Sequence, residues 1–271
     1  MMKAVKKVRF TLVCVSLMVI SLMVSGISSA KVDFKDCVGM WLFDEDKGDV
    51  AKDSSSKGND GEIIGKAKRV AGKFGSALKF DGVTAAVSIE LDVMDLNKDQ
   101  SFSLWFKTKI DENIHARVLH APFLNNYRLW LWIMRNGHGA RGKLGFGYRA
   151  GDIGLEITSG QPLNDDSWHH VAAILDHTTE QASLYIDGKL NAQSGIAKIK
   201  FNDSEGKLCI ASTCTRDFLP GQIDDVAVFN VALKEGDIKS IMDKGLKKVL
   251  DAAAVSPMGK LTTIWAATKA Q

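Results

Sequence analysis

The segment Tyr127-Arg-Leu-Trp-Leu-Trp-Ile-Met134 carries the residues of this 271-residue chain best suited to holding a ligand. In an extended strand successive side chains face opposite ways. Tyr127, Leu129, Leu131 and Ile133 therefore share one face, and Arg128, Trp130, Trp132 and Met134 the other. An indole offers a flat apolar surface for a sugar ring plus one N–H donor. Arg135, His138 and Arg141, in the glycine-rich stretch that follows, add donors for hydroxyl or acidic groups. The competing reading is a strand buried on both faces beneath a loop, with the two indoles serving only as packing.

Residues for covalent or metal chemistry are not assembled in the same way. The chain has no His-Glu-x-x-His, no Gly-x-Ser-x-Gly and no glycine-rich phosphate loop. His169 and His170 are adjacent, so on one strand they point to opposite faces and do not form a joint metal pair. The expectation is a binding module without catalysis.

Beyond the first 30 residues three cysteines remain, Cys37, Cys209 and Cys214, so at least one thiol stays free or pairs with another chain. The five-residue spacing of Cys209 and Cys214 suits neither a zinc pair nor a redox motif. Three arrangements stay open. A bridge from Cys37 to either of the others would close a loop of over 170 residues, worth about 5 kcal/mol in the chain-entropy picture. A tight Cys209–Cys214 bridge is the second, and buried inert thiols are the third.

Position and charge narrow the setting. A basic stretch from Met1 to Arg9 runs into the apolar block Phe10 to Val24 and then Ser28-Ser29-Ala30, the pattern of a secretory signal peptide cleaved after Ala30. An apolar block of about 15 residues falls short of the roughly 20 that span a bilayer as a helix. The expected protein is secreted or periplasmic, with no membrane span after cleavage. The formal charge of +3 owes much to this leader, without which 31 basic side chains face 32 acidic ones. That balance lacks the basic excess needed to bind a phosphate backbone, so nucleic acid is excluded as a partner.

The elements that must position these residues are short strands. Alternation is clear in Ser101 to Thr108 and Gln181 to Asp187, and further runs fall at 39–43, 77–80, 86–89, 127–134, 143–148, 168–175, 207–211 and 222–229. Asp187-Gly188 reads as a two-residue hairpin turn. Trp41, Trp105 and Trp168, each set in an apolar run, read as core residues. A single helix is expected over Leu233 to Leu246, packed on a sheet through Leu233, Ile238, Ile241, Met242 and Leu246. Residues 31–246 read as one domain, and 247–271, with Pro257 and Trp265, as a tail.

Five blocks in order carry a resemblance. They are Gly39-Met-Trp-Leu-Phe-Asp-Glu45 with the Asp53 to Gly61 turn cluster and Gly72-Lys-Phe-Gly-Ser-Ala-Leu-Lys-Phe-Asp-Gly82; Phe102-Ser-Leu-Trp-Phe106; Asp166-Ser-Trp-His-His-Val171; Leu184-Tyr-Ile-Asp-Gly-Lys189; and Gly221-Gln-Ile-Asp-Asp-Val226 followed by Phe229-Asn-Val-Ala-Leu233. Together, over roughly residues 38–245, they resemble the LamG-like jelly-roll domains of the concanavalin A-like lectin/glucanase superfamily. The resemblance implies an all-β fold, a two-sheet antiparallel jelly-roll sandwich. Glucan-cleaving members carry Glu-x-Asp-x-x-Glu on one strand, which this chain lacks. The family also implies a structural calcium in many members. Asp44, Asp53, Asn59 and Asp224 supply the hard oxygen donors such an ion takes, and they lie in the opening and closing blocks. The rival role for Asp53 and Asn59 is to cap a turn.

Three functions follow in order of preference: binding of an extracellular or cell-surface glycan, binding of a protein or matrix partner, and a divergent glycoside hydrolase. The last requires two carboxyl groups roughly 5 to 9.5 Å apart in a groove.

Overall fold

Segments that alternate in sequence become strands in the computed structural model, which describes residues 32–91, 94–110, 115–122, 127–134, 141–150, 152–197 and 206–254. In chain order they are β1 (Cys37–Trp41), β2 (Val50–Ala51), β3 (Gly61–Ile64), β4 (Lys68–Ala71), β5 (Ser76–Asp81), β6 (Ala86–Glu90), β7 (Gln100–Thr108), β8 (Ala116–Pro122), β9 (Tyr127–Ile133), β10 (Lys143–Ala150), β11 (Ile153–Pro162), β12 (His169–Asp176), β13 (Gln181–Ile186), β14 (Lys189–Gly195), β15 (Lys207–Ile210) and β16 (Pro220–Phe229). Two helices follow, α1 (Glu235–Lys244) and α2 (Leu246–Ala254).

The strands build two antiparallel sheets. One runs β14-β13-β12-β7-β16-β5-β4, with β1 also paired to β16; the other runs β11-β10-β9-β8-β15-β6-β3-β2. This is the expected two-sheet jelly-roll sandwich. Between the sheets lies the main core, to which β9 gives Leu129, Leu131 and Ile133, β10 gives Leu144, Phe146 and Tyr148, and β7 gives Phe102, Leu104 and Phe106. The Asp187-Gly188 hairpin is present, both residues at positive φ (49° and 74°), the backbone such a turn requires.

The outer face of the first sheet is covered by the helices. Leu233, Ile238 and Ile241 of the α1 region and Leu246, Val249 and Leu250 of α2 pack against Cys37, Met40, Ala172, Ile174 and Phe229. The second helix corrects the expected tail, since residues 246–254 continue the fold after Gly245, at φ 81°, breaks α1. The signal peptide, Pro257 and Trp265 lie outside the described residues. Trp168 is half-buried just before β12 rather than in the core. Trp105 is buried on the outer face of its sheet, its ring 5.2 Å from that of His170.

The cysteines resolve to the tight pair, Cys209–Cys214, with Cys37 free and buried. The long bridges are excluded by layering. Cys37 packs beneath the helices on one sheet, while Cys209 sits on β15 of the other, opposite His120.

Candidate ligand-binding site

Among the described residues no helix packs on the outer face of the second sheet, and the register assembles a site there. Opposed residues on paired strands share a face. One row runs Glu156, Gly147, Trp130, His120 and Cys209 across β11, β10, β9, β8 and β15. A second joins Thr158, Gly145, Trp132 and Arg117, and a third joins Gly154, Arg149, Arg128 and Pro122.

The two indoles occupy this face but are not open to solvent. Trp130, Trp132 and Met134 form a small buried group of their own, with Trp130 9% and Trp132 7% exposed. Each indole lies across a glycine of β10. A Cβ on Gly147 would stand 2.9 Å from Cζ2 of Trp130, and one on Gly145 2.3 Å from Nε1 of Trp132. From the other side the Arg117 guanidinium covers both rings, 5.8 Å from the Trp130 centroid and 5.0 Å from that of Trp132. His115 stacks on Trp132 at 4.1 Å. The expected alternation of β9 is therefore observed, and of the two readings of its aromatics the structure agrees with burial on both faces, the exposed reading being corrected for Trp132 and for most of Trp130. Arg117, on a strand not anticipated from sequence, supplies the cover.

Part of Trp130 still reaches solvent, in a cleft of about 270 Å³ lined by Trp130, Tyr148, Arg149, Asp152, Gly154, Leu155 and Glu156. The Trp130 Nε1–H donates to Glu156 Oε2 at 3.1 Å, which fixes the indole against the cleft wall. The mouth is polar, with Arg149 and Asp152 4.0 Å apart. Of the sequence-predicted ligand residues, the structure brings together Arg128, Trp130 and Trp132. Arg141 lies exposed at the turn entering β10, while Arg135 and His138 lie outside the described residues.

Sequence reasoning missed Arg117, His120, Arg149, Glu156 and Arg216. One signal was available, in that Gly145 and Gly147 alternate at the same period as Trp130 and Trp132. A small-residue row beside an aromatic row is what flat-lying rings need. His120 is 8% exposed with no hydrogen-bond partner for Nδ1 among the described residues. Burial, reinforced by Arg117, Arg128 and Arg216, pushes its pKa down to about 4. Burial likewise lowers that of Arg117 against the pull of Asp217 and Glu156.

The four expected calcium ligands divide between two turns. Asp53 accepts from Met40 N, Ser55 N and Asn59 N at 2.8 to 3.0 Å, and Asn59 Nδ2 donates to the Val38 carbonyl. Both side chains are thus spent stitching the opening loop to β1. Asp44 and Asp224 instead meet the turn at residues 72–76, accepting from Ser76 N and Phe74 N. The four do not fit one ion, and no group of three His, Cys, Asp or Glu side chains suited to a metal occurs among the described residues. Asp224, fully buried, and its neighbour Asp225 have no cationic partner there; burial raises their pKa to about 7 and about 6.

A two-sheet antiparallel jelly roll with a polar cleft on one sheet's outer face has the make-up of a binding domain of the concanavalin A-like class. The chain belongs to the Laminin_G_3 family of the concanavalin A-like lectin/glucanases superfamily, whose model matches residues 81–239. No curated protein matches it in sequence. Similar solved structures include the receptor binding domain of botulinum neurotoxin C/D mosaic serotype (14% identity, TM-score 0.62, covering 78% of this chain and 51% of that one). The binding domain of Paraclostridial Mosquitocidal Protein 1 is similar at 13% identity and TM-score 0.60, covering 78% and 52%. So is the binding domain of botulinum neurotoxin DC in complex with rat synaptotagmin II, at 12% identity and TM-score 0.62, covering 78% and 52%. The chain spans about half the length of these structures, and likeness at such identity shows the fold alone.

Proposed function

We propose that this chain is an exported, noncatalytic module that binds a carbohydrate on the outer face of the β8–β11 strands. The observation that carries the reading is the cleft in which Trp130, held by Glu156, meets Arg149 and Asp152. An aromatic wall with a few convergent polar groups is the make-up of a sugar site, and the volume suits one sugar residue rather than a buried chain. Export is supported by the signal-like leader and by a disulfide, which persists in oxidising compartments.

Hydrolysis is disfavoured by exposure. The carboxylates of the cleft, Asp152 and Glu156, are both exposed, whereas a general acid needs a desolvated setting to keep its proton near neutral pH. A protein partner is the second reading, supported by the receptor-binding roles of the structurally similar toxin domains. Against it, among the described residues the exposed large apolar side chains, Val50, Val83, Ile153 and Leu190, are scattered over β2, the turn before β6, β11 and β14.

The test is a glycan array probed with wild type and with Glu156→Ala and Arg149→Ala variants of verified fold. Binding lost in both variants supports the cleft. A folded wild type that binds no glycan sinks the proposal. Calcium enters only as a proposed stabiliser of the 72–76 turn through Asp44 and Asp224, with no part in ligand contact.

A further inference from the structure

Around the Trp130 indole the sheet collects four arginines, Arg117, Arg128, Arg149 and Arg216, of which Arg117 and Arg149 have carboxylate partners and Arg128 and Arg216 have none among the described residues. Arg128 on β9 stands directly opposite Arg149 on β10, and like charges in that relation are destabilising. Arg117, on β8, has a side chain only 16% exposed. Its Nε has no hydrogen-bond partner among the described residues and pairs at 3.7 Å with Asp217 Oδ2. Arg216 stands on the loop after β15, near enough for its charge to oppose protonation of His120. The Cys209–Cys214 disulfide holds that loop, and the Arg117 backbone N–H donating to Asp217 O at 2.9 Å ties it to β8. Neither Arg128 nor Arg216 has an ion-pair partner among the described residues, although both reach solvent. Each guanidinium carries five donors in a fork that matches a planar or tetrahedral oxyanion.

We propose that Arg117, Arg128 and Arg216 form an anion subsite beside the Trp130 cleft, and that the glycan recognised is an acidic one, bearing carboxylate or sulfate groups. The inference rests on the carbohydrate reading above and narrows its ligand class. The groups facing His120 bear on it too. Arg117 on its own strand, Arg128 from β9 and Arg216 from the loop all disfavour its protonation, as burial does. An anion bound among them offsets those three charges, and His120 takes up a proton more readily in the complex. The carboxylates nearby, Asp217 and Glu156, are each engaged, with Arg117 and with the Trp130 N–H respectively. They leave the two accessible arginines for a ligand.

The experiment titrates the folded protein by calorimetry with three oligosaccharide probes, a heparin-derived hexasaccharide, hexagalacturonate and neutral cellohexaose. Each is run at low and at 0.5 M added salt. Arg128→Gln and Arg216→Gln are the variants, because neither side chain has an ion-pair or hydrogen-bond partner among the described residues whose loss would unsettle the fold. The expected result is binding of an acidic probe that is weakened at least tenfold by either substitution and falls with salt. The sulfated and uronate arms tell which acid is read. In the same complex the His120 ring signals, followed by NMR, titrate at higher pH than in the free protein.

Acidic probes bound equally well by the variants would overturn the subsite. Cellohexaose bound by wild type and variants alike, with no acidic probe bound, would overturn the acidic class while leaving a carbohydrate module. No probe bound, with an empty glycan array, would overturn both.

Discussion

The Trp130 indole lies in the space that a side chain on Gly147 would fill, on the neighbouring strand and directly opposite in register. The same relation holds between Trp132 and Gly145. The two glycines act through what they lack, letting large rings lie flat on a sheet so that Arg117 closes over them.

Gly147→Ala is therefore expected to destabilise the protein. Its Cβ would stand 2.5 Å from the Leu155 carbonyl as well as 2.9 Å from Trp130, so both strand and ring must shift, at a cost of about 1–3 kcal/mol. Urea unfolding measures the loss, and tryptophan fluorescence shifts to the red as Trp130 is lifted towards water. An unchanged emission maximum would show that the ring does not rest on Gly147.

Removing the disulfide tests the loop that carries Arg216. Six residues span Cys209 to Cys214, and in the chain-entropy picture so small a ring is worth about 2 kcal/mol. The Cys209→Ala, Cys214→Ala double variant is expected to lose about that much in chemical denaturation. It should also raise hydrogen exchange in residues 211–219, where backbone bonds such as Leu219 N to Ala211 O close the loop. Equal stability with unaltered exchange would mean the loop is held by its backbone bonds alone.

Legibility in the sequence followed periodicity. β7 and β9 were readable because Ser101–Thr108 and Tyr127–Met134 alternate cleanly, and the face each side chain takes follows from that. β8 was not, because a register shift between Arg117 and Leu119 interrupts its alternation. With β8 went Arg117 and His120, and with Arg117 the fact that Trp130 and Trp132 are covered. β11 was missed because Ile153 to Pro162 places exposed and polar residues on both sides of a strand at the sheet's end. α2 was missed because the expected helix was carried through Gly245 to Leu246 and residues 247–271 read as a tail. A fresh helix begins one residue after Gly245, held by buried Leu246, Val249 and Leu250. The candidate site thus depends on long-range pairing that local pattern does not encode.

Calcium at the 72–76 turn makes a distinct prediction. Asp224 is fully buried with no cationic partner among the described residues, a costly arrangement for an ionised carboxylate unless something positive joins it. If calcium is that partner, adding it raises the Tm of wild type, by about 2.7 kcal/mol of stabilisation at a concentration 100-fold above Kd. The Asp224→Asn variant shows no rise, and Asp53→Asn, in the other turn, keeps it. Identical melting of wild type in calcium and in chelator would remove the ion from the proposal.

Acid should weaken the fold through two histidines. His170 is fully buried, its Nε2 3.0 Å from Ser103 Oγ and its Nδ1 without a partner among the described residues. Burial pushes its pKa down to about 4, as it does that of His120. The unfolded chain takes up these protons near pH 6.5, while the folded one refuses them until about pH 4. The stability is thus complete above pH 6.5 and lost as pH falls through that window, by about 3 kcal/mol for each histidine at the limit. Asp224 and Asp225, with raised pKa values, act in the opposite sense and destabilise as pH rises, so the raw profile mixes opposed slopes. A variant difference separates them. The cost of His170→Asn, measured by urea unfolding, is expected to be largest near pH 7 and to shrink by up to about 3 kcal/mol by pH 4, because acid has by then already taken that contribution from wild type. A cost that does not change with pH would mean that His170 takes up its proton at the same pH folded and unfolded, so that its burial does not hold it neutral.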